Sequence, residues 1–62
     1  MNTKYNSNIG YYRNQAEHAK HNKDLEAYER YKGLAEGYIR GLCDAGVISE
    51  LEMEEKLRYA NV

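Results

Sequence analysis

His18 and His21 stand three residues apart, a spacing that puts two imidazoles on one helical face, with Glu17 and Asp24 as the nearest further ligands. Zinc takes three or four such ligands, so one chain falls short and a site would need two ligands from each of two chains. The expectation is a solvated histidine pair near a helix end, where a cation is mildly favoured by the helix dipole, and no metal. Cys43 is the single cysteine and can form no internal disulfide. Asp44 follows it and no base adjoins it, so nothing in the sequence activates a thiolate, and its expected role is that of a small hydrophobe. Carboxylates are plentiful, but there is no glycine-rich phosphate loop and no nucleophile motif. Neither enzyme activity nor a cofactor is expected.

Charge narrows the partners. Residues 1–23 carry four bases and one acid, residues 24–46 three bases and five acids, and residues 47–62 two bases and four acids, giving the net −1. The corner at 46–49 invites a helix-turn-helix reading. The helix that follows opens with Glu50, Glu52, Glu54 and Glu55, the wrong sign for a phosphate backbone. The first helix, with Tyr11, Arg13, Asn14, Gln15, Lys20 and Lys23, is the better candidate for a DNA-binding regulator, though a modest one. The acids of the last helix, with Asp44, admit the opposite idea, a mimic of nucleic acid that occupies another protein's channel. No apolar run is long enough to span a membrane and no signal pattern opens the chain. With one reduced thiol the reading is cytoplasmic.

The elements that must position these groups are helical. Sixty-two residues make one domain, whose core is small because a chain this short buries only about 60% of its unfolded surface. Proline, tryptophan and phenylalanine are absent while tyrosine occurs seven times, so tyrosine supplies the aromatic packing, a residue suited to half-buried seams and interfaces. Tyr5, Ile9, Tyr12, Ala16 and Ala19 recur by steps of four and three, predicting a helix over about 5–21, firm from 9 to 20 and beginning earlier if Tyr5 packs. Residues 1–3 are expected to be disordered. The seam breaks at 21–24, with Asn22 or Asp24 as the next N-cap, predicting an antiparallel hairpin; one long helix with a shifted seam is the alternative.

A central helix over 24–45 carries Tyr28, Tyr31, Ala35, Tyr38, Leu42 and Ala45 as a heptad-like seam. It also holds Gly33, Gly37 and Gly41, each costing roughly 1 kcal/mol against alanine. On a helical wheel Gly33 and Gly37 fall among Glu26, Arg30, Arg40 and Asp44, away from the expected core, so internal packing does not explain them. Gly46 fits a left-handed C′ position with Val47 against Leu42. Ser49 with Glu52 forms a capping box, Ile48 with Met53 a hydrophobic staple, and a last helix runs over 49–60 with Met53, Leu57 and Ala60 inward. Glutamates precede bases by four at Glu26–Arg30, Glu36–Arg40, Glu52–Lys56 and Glu54–Arg58, marking solvated faces. The expected fold is all-α, a small three-helix domain made of a helical hairpin and a short C-terminal helix, and oligomeric.

Asp44-Ala45-Gly46-Val47-Ile48-Ser49, then Glu50, Glu52-Met53-Glu54 and Lys56-Leu57, resembles the SHOCT family of short C-terminal helical oligomerisation modules. The resemblance covers about residues 39–57. It departs at Met53, where a phenylalanine is usual, and in lacking a second lysine beside Lys56. It implies a helical corner used for self-association and no catalytic residue.

The expected function is a non-enzymatic helical interaction or oligomerisation module that docks to a protein partner. Self-association is expected through Ile9, Tyr12, Tyr28, Tyr31, Ala35, Tyr38 and Leu42, and partner docking through Gly33, Gly37, Arg40, Glu50 and Glu54. The alternative is a small inhibitor of a nucleic-acid-processing or defence enzyme, of the kind mobile elements encode, anti-CRISPR proteins included.

Overall fold

Ile39 is fully buried, at 0% exposure, where three helices converge. The computed structural model describes residues 4–62, and the expectation for residues 1–3 lies outside them. The helices are α1 (Lys4–His21), α2 (Leu25–Asp44) and α3 (Glu50–Ala60). Their contacts set the directions. Asn8 and Tyr12 meet Tyr38 while Tyr11 meets Tyr31, so α1 and α2 run antiparallel. Asn6 meets Lys56 and Arg13 meets Tyr59, so α1 and α3 run parallel. This is the expected all-α hairpin with a third helix laid across it.

α1 spans Lys4–His21, close to the expected 5–21, and is helical from its first turn. Asn6, Ser7 and Gly10 are weak helix formers, but tertiary contacts hold the first turn. Tyr5 packs against the core, and Lys56 lies 5.5 Å from the Tyr5 ring centroid while donating to Asn6 Oδ1 at 2.9 Å.

The turn between α1 and α2 is tight. Asp24 N–H donates to Ala19 O at 2.8 Å and Lys23 N–H to Lys20 O at 3.1 Å, the bond pair of a Schellman closure. Lys23 occupies its left-handed position, with φ 59°, where a non-glycine residue is disfavoured by roughly 1–2 kcal/mol. Asp24 then caps α2, its Oδ1 accepting from Ala27 N–H at 3.2 Å. One residue closes the first helix and opens the second.

The second corner follows the sequence closely. Val47 N–H donates to Leu42 O at 2.9 Å and Gly46 N–H to Cys43 O at 3.0 Å, with Gly46 at φ 77°. Ser49 and Glu52 exchange both capping-box bonds at 3.1 Å, and Ile48 and Met53 belong to one apolar cluster. The side chain of Val47, however, stays 53% exposed. Of the paired charges, Glu52 serves this cap and Lys56 serves Asn6, while the ion pair that forms on α1 joins Arg13 and Glu17 at 3.7 Å.

The core is thin. Among the described residues the buried ones are Ile9, Ile39 and Ile48 with Ala16, Ala19, Ala35 and Ala60. Tyr5, Tyr12, Tyr38, Leu42, Cys43, Met53 and Leu57 pack around this set. The expected seam holds at Ala35, Tyr38 and Leu42 and is turned toward Ile39. Ile39, off that seam, is the centre of the core, and Ala45, on it, is exposed.

Two substitutions test these corners in denaturant. Lys23→Gly is expected to stabilise by about 1 kcal/mol by removing the left-handed penalty. Gly46→Ala is expected to destabilise by a similar amount. Opposite signs confirm both closures, and equal signs contradict them.

Candidate interaction surface

α3 covers one side of the α1–α2 groove and leaves the other open. Asn6 and Arg13, seven residues apart, lie on the flank of α1 that meets α3. Arg13 Nε donates to Tyr59 O at 2.9 Å and its guanidinium lies 4.8 Å from the Tyr59 ring centroid. Helical spacing sets Asn8 and Tyr11 on the opposite flank. There four tyrosines form a ladder across α1 and α2. Tyr31 meets Tyr11 at 6.5 Å between centroids, Tyr11 meets Tyr12 at 5.8 Å and Tyr12 meets Tyr38 at 6.0 Å. All are edge-to-face, a geometry worth about 0.5–1.5 kcal/mol per pair. Asn8 Nδ2 donates to the Tyr38 hydroxyl at 2.9 Å and pins the ladder's end.

This face is apolar and open. Tyr11 is 54% exposed, and Leu34, one turn from both Tyr31 and Tyr38, is 46% exposed. On α2 the stripe reads Ala27, Tyr31, Leu34, Tyr38, Gly41 and Ala45, with no charge. The facing stripe of α1 reads Lys4, Asn8, Tyr11, Gln15 and His18, with no acid. Arg30 precedes Leu34 by one turn and stands at the edge of this face, one turn after Glu26.

The residues expected to self-associate divide. Ile9 and Ala35, 2% and 1% exposed, are closed inside the chain's own bundle and offer nothing to a second chain. Tyr12, Tyr38 and Leu42 pack against that core. Tyr28 donates its hydroxyl to the Val62 backbone oxygen at 2.6 Å and ties down the segment after α3. Tyr31 alone of the set stands in the ladder without belonging to the core cluster. Tyr11 and Leu34 were not on the expected seam. Their signal was the second heptad stripe, which shares Tyr31 and Tyr38 with the buried one.

The expected docking residues Gly33, Gly37, Arg40, Glu50 and Glu54 are all exposed. The first three lie on the outward side of α2 and the last two on α3. A methyl group at Gly33, Gly37 or Gly41 would meet nothing within 4 Å, so the bundle itself does not require these glycines. His18 and His21 line a surface hollow with Asn14, Glu17 and Asn22. Among the described residues no three His, Cys, Asp or Glu side chains gather as a metal would require. Cys43 is a partly buried free thiol packed against the core. Arg13, offered by the sequence as a nucleic-acid contact, is engaged with α3. No helix among the described residues is long and apolar enough to cross a membrane.

No family model, curated protein or solved structure matches the chain.

Gly33→Ala, Gly37→Ala and Gly41→Ala are each expected to raise unfolding stability by up to about 1 kcal/mol. Destabilisation by any of them in urea titrations would contradict the open surroundings described.

Proposed function

We propose that this chain is a non-enzymatic helical interaction module that acts by docking to protein, its own copies included. The observation that carries this reading is the open tyrosine face, with Tyr11 and Leu34 about half exposed on a domain that buries few large side chains. Contiguous apolar surface rimmed by polar groups marks interaction sites on small soluble domains. Tyrosine is enriched at such sites because it brings large apolar area at low entropy cost and keeps a hydrogen-bonding tip. The helical glycines support the same reading. They weaken α2 with no return inside the bundle, and they allow a partner's backbone to approach closely beside Leu34. The resemblance of residues 39–57 to helical oligomerisation modules points the same way.

The test is isolation of the tagged chain from its native cells, compared with Leu34→Glu. Leu34 is exposed, so the variant is expected to keep its helicity and melting temperature. Stoichiometric recovery of a protein, or of untagged copies, by the original chain and its loss from the variant are expected. Recovery that Leu34→Glu leaves unchanged would contradict the assignment of the face.

A further inference from the structure

The three helices are not held alike. α1 and α2, with 18 and 20 residues, exceed the roughly 12–15 residues below which an isolated helix is marginal in water. α3 has 11 and falls below that length. Within α3, Ala60 is buried, Met53, Lys56 and Leu57 are half-buried, and the rest are exposed. Arg13 Nε to Tyr59 O and Lys56 Nζ to Asn6 Oδ1 join α3 to α1 through solvent-exposed side-chain bonds. The bond of Tyr28 to Val62 O, which holds the segment after α3, is half-buried.

The hairpin's own links are separate from these. Asp24 closes α1 through its N–H on Ala19 O and caps α2 through its carboxylate on Ala27 N–H. Asn8 holds Tyr38, and the rings of Tyr31, Tyr11, Tyr12 and Tyr38 join the two helices edge to face. No residue of α3 takes part in any of them. The second corner divides in the same way. Ala45, Gly46 and Val47 donate their N–H groups back to Gly41, Cys43 and Leu42, so the chain as far as Val47 is fastened to α2. From Ser49 on the bonds run forward, Ser49 exchanging two with Glu52 and accepting one from Met53 N–H. A boundary between Ile48 and Ser49 cuts none of these bonds and leaves the buried Ile48 side chain with the hairpin.

We infer that α3, with the segment after it, is a clasp that detaches and melts as one unit while the α1–α2 hairpin stays folded. Opening forfeits the packing of Met53, Leu57 and Ala60 and the tethers of Arg13, Lys56 and Tyr28. Global unfolding forfeits all of these and every link within the hairpin besides. Segments with few buried apolar groups and exposed hydrogen bonds open at a lower free energy than the core they border. Once detached, α3 is too short to keep its helix, so its amides meet solvent together. The open state uncovers Ile9 and Ile39, which the closed structure buries in one cluster with Ala60. The fold thus holds a second apolar face beneath α3, separate from the tyrosine face, and presents it only when the clasp is open.

Amide hydrogen exchange of the full chain, read residue by residue by NMR without denaturant, tests this. In the original chain the amides of residues 54–58 are expected to share one level of protection, about tenfold or more below that of Tyr38 and Ile39. Asp24→Ala then separates clasp from hairpin. The cap it removes is present whether α3 is closed or open, so the variant weakens both states equally against the unfolded chain. It is expected to hasten exchange at Tyr38 and Ile39 about fivefold and to leave residues 54–58 unchanged. Asn8→Ala, which cuts the exposed bond to Tyr38, is expected to act in the same direction and takes the place of Asp24→Ala if that variant does not fold. Equal protection in all three helices would overturn the inference, because the domain then opens only as a whole. So would either variant hastening residues 54–58 as much as Ile39. Protection that falls off steadily from residue 54 to residue 58 would also overturn it, since that is fraying from the end and not the opening of a unit.

Discussion

Everything in this fold depends on how closely three helices approach around Ile39. Alanines make that approach possible. Ala35 on α2 and Ala60 on α3 belong to the cluster around Ile39, Ala16 and Ala19 are buried further along α1, and their small side chains let neighbouring backbones come together where a leucine would hold them apart. The same choice limits the apolar area enclosed. Among the described residues, Ile9, Ile39 and Ile48 are the buried ones with large side chains. A domain of this length holds a net stability of roughly 3–9 kcal/mol at about 0.05–0.15 kcal/mol per residue. Truncating one buried isoleucine to alanine removes about 2–5 kcal/mol, so no such position has slack.

Polar tethers supplement the small core. Arg13 holds the end of α3 by a backbone hydrogen bond and by its position over the Tyr59 ring. Lys56 reaches back to Asn6, Tyr28 holds Val62 and Asn8 holds Tyr38. Such bonds contribute about 0.5–1.5 kcal/mol each and less where exposed. Their distribution matters more than their sum, since three of the four fix α3 or the segment after it against the hairpin. α3, only 11 residues long, is too short to persist alone. Its attachment sets Leu51, 68% exposed, on the side of α3 turned away from the hairpin.

The corners were legible because their chemistry is local. Gly46, Ser49 and Glu52 define a helix stop and start that needs no tertiary information, and Asp24 is an ordinary N-cap. Lys23 was not legible, since a left-handed lysine leaves no mark in sequence and is held there by the bonds of Asp24 and Lys23 to the end of α1. The early start of α1 was legible only conditionally, because Lys56 and the core hold Tyr5 from elsewhere in the chain. The interior face of α2 was read correctly at Ala35, Tyr38 and Leu42 but missed Ile39 and wrongly included Ala45. Two heptad stripes run side by side there and share Tyr31 and Tyr38, and tyrosine, being amphipathic, fits either the core or the surface. The candidate surface was accordingly read in part. The outward, unpacked glycines followed from the helical wheel, whereas Tyr11 and Leu34 needed the tertiary arrangement to separate them from the core.

The central claim is that the bundle alone leaves apolar surface uncovered, and that association through that surface completes its stability. Thermal unfolding of the unmodified chain, followed by circular dichroism from dilute to millimolar concentration, addresses it most directly. Association of folded copies stabilises by mass action, so the account predicts a melting temperature that rises steadily with concentration and rises less at high salt. A melting temperature that is the same across the whole range would contradict it.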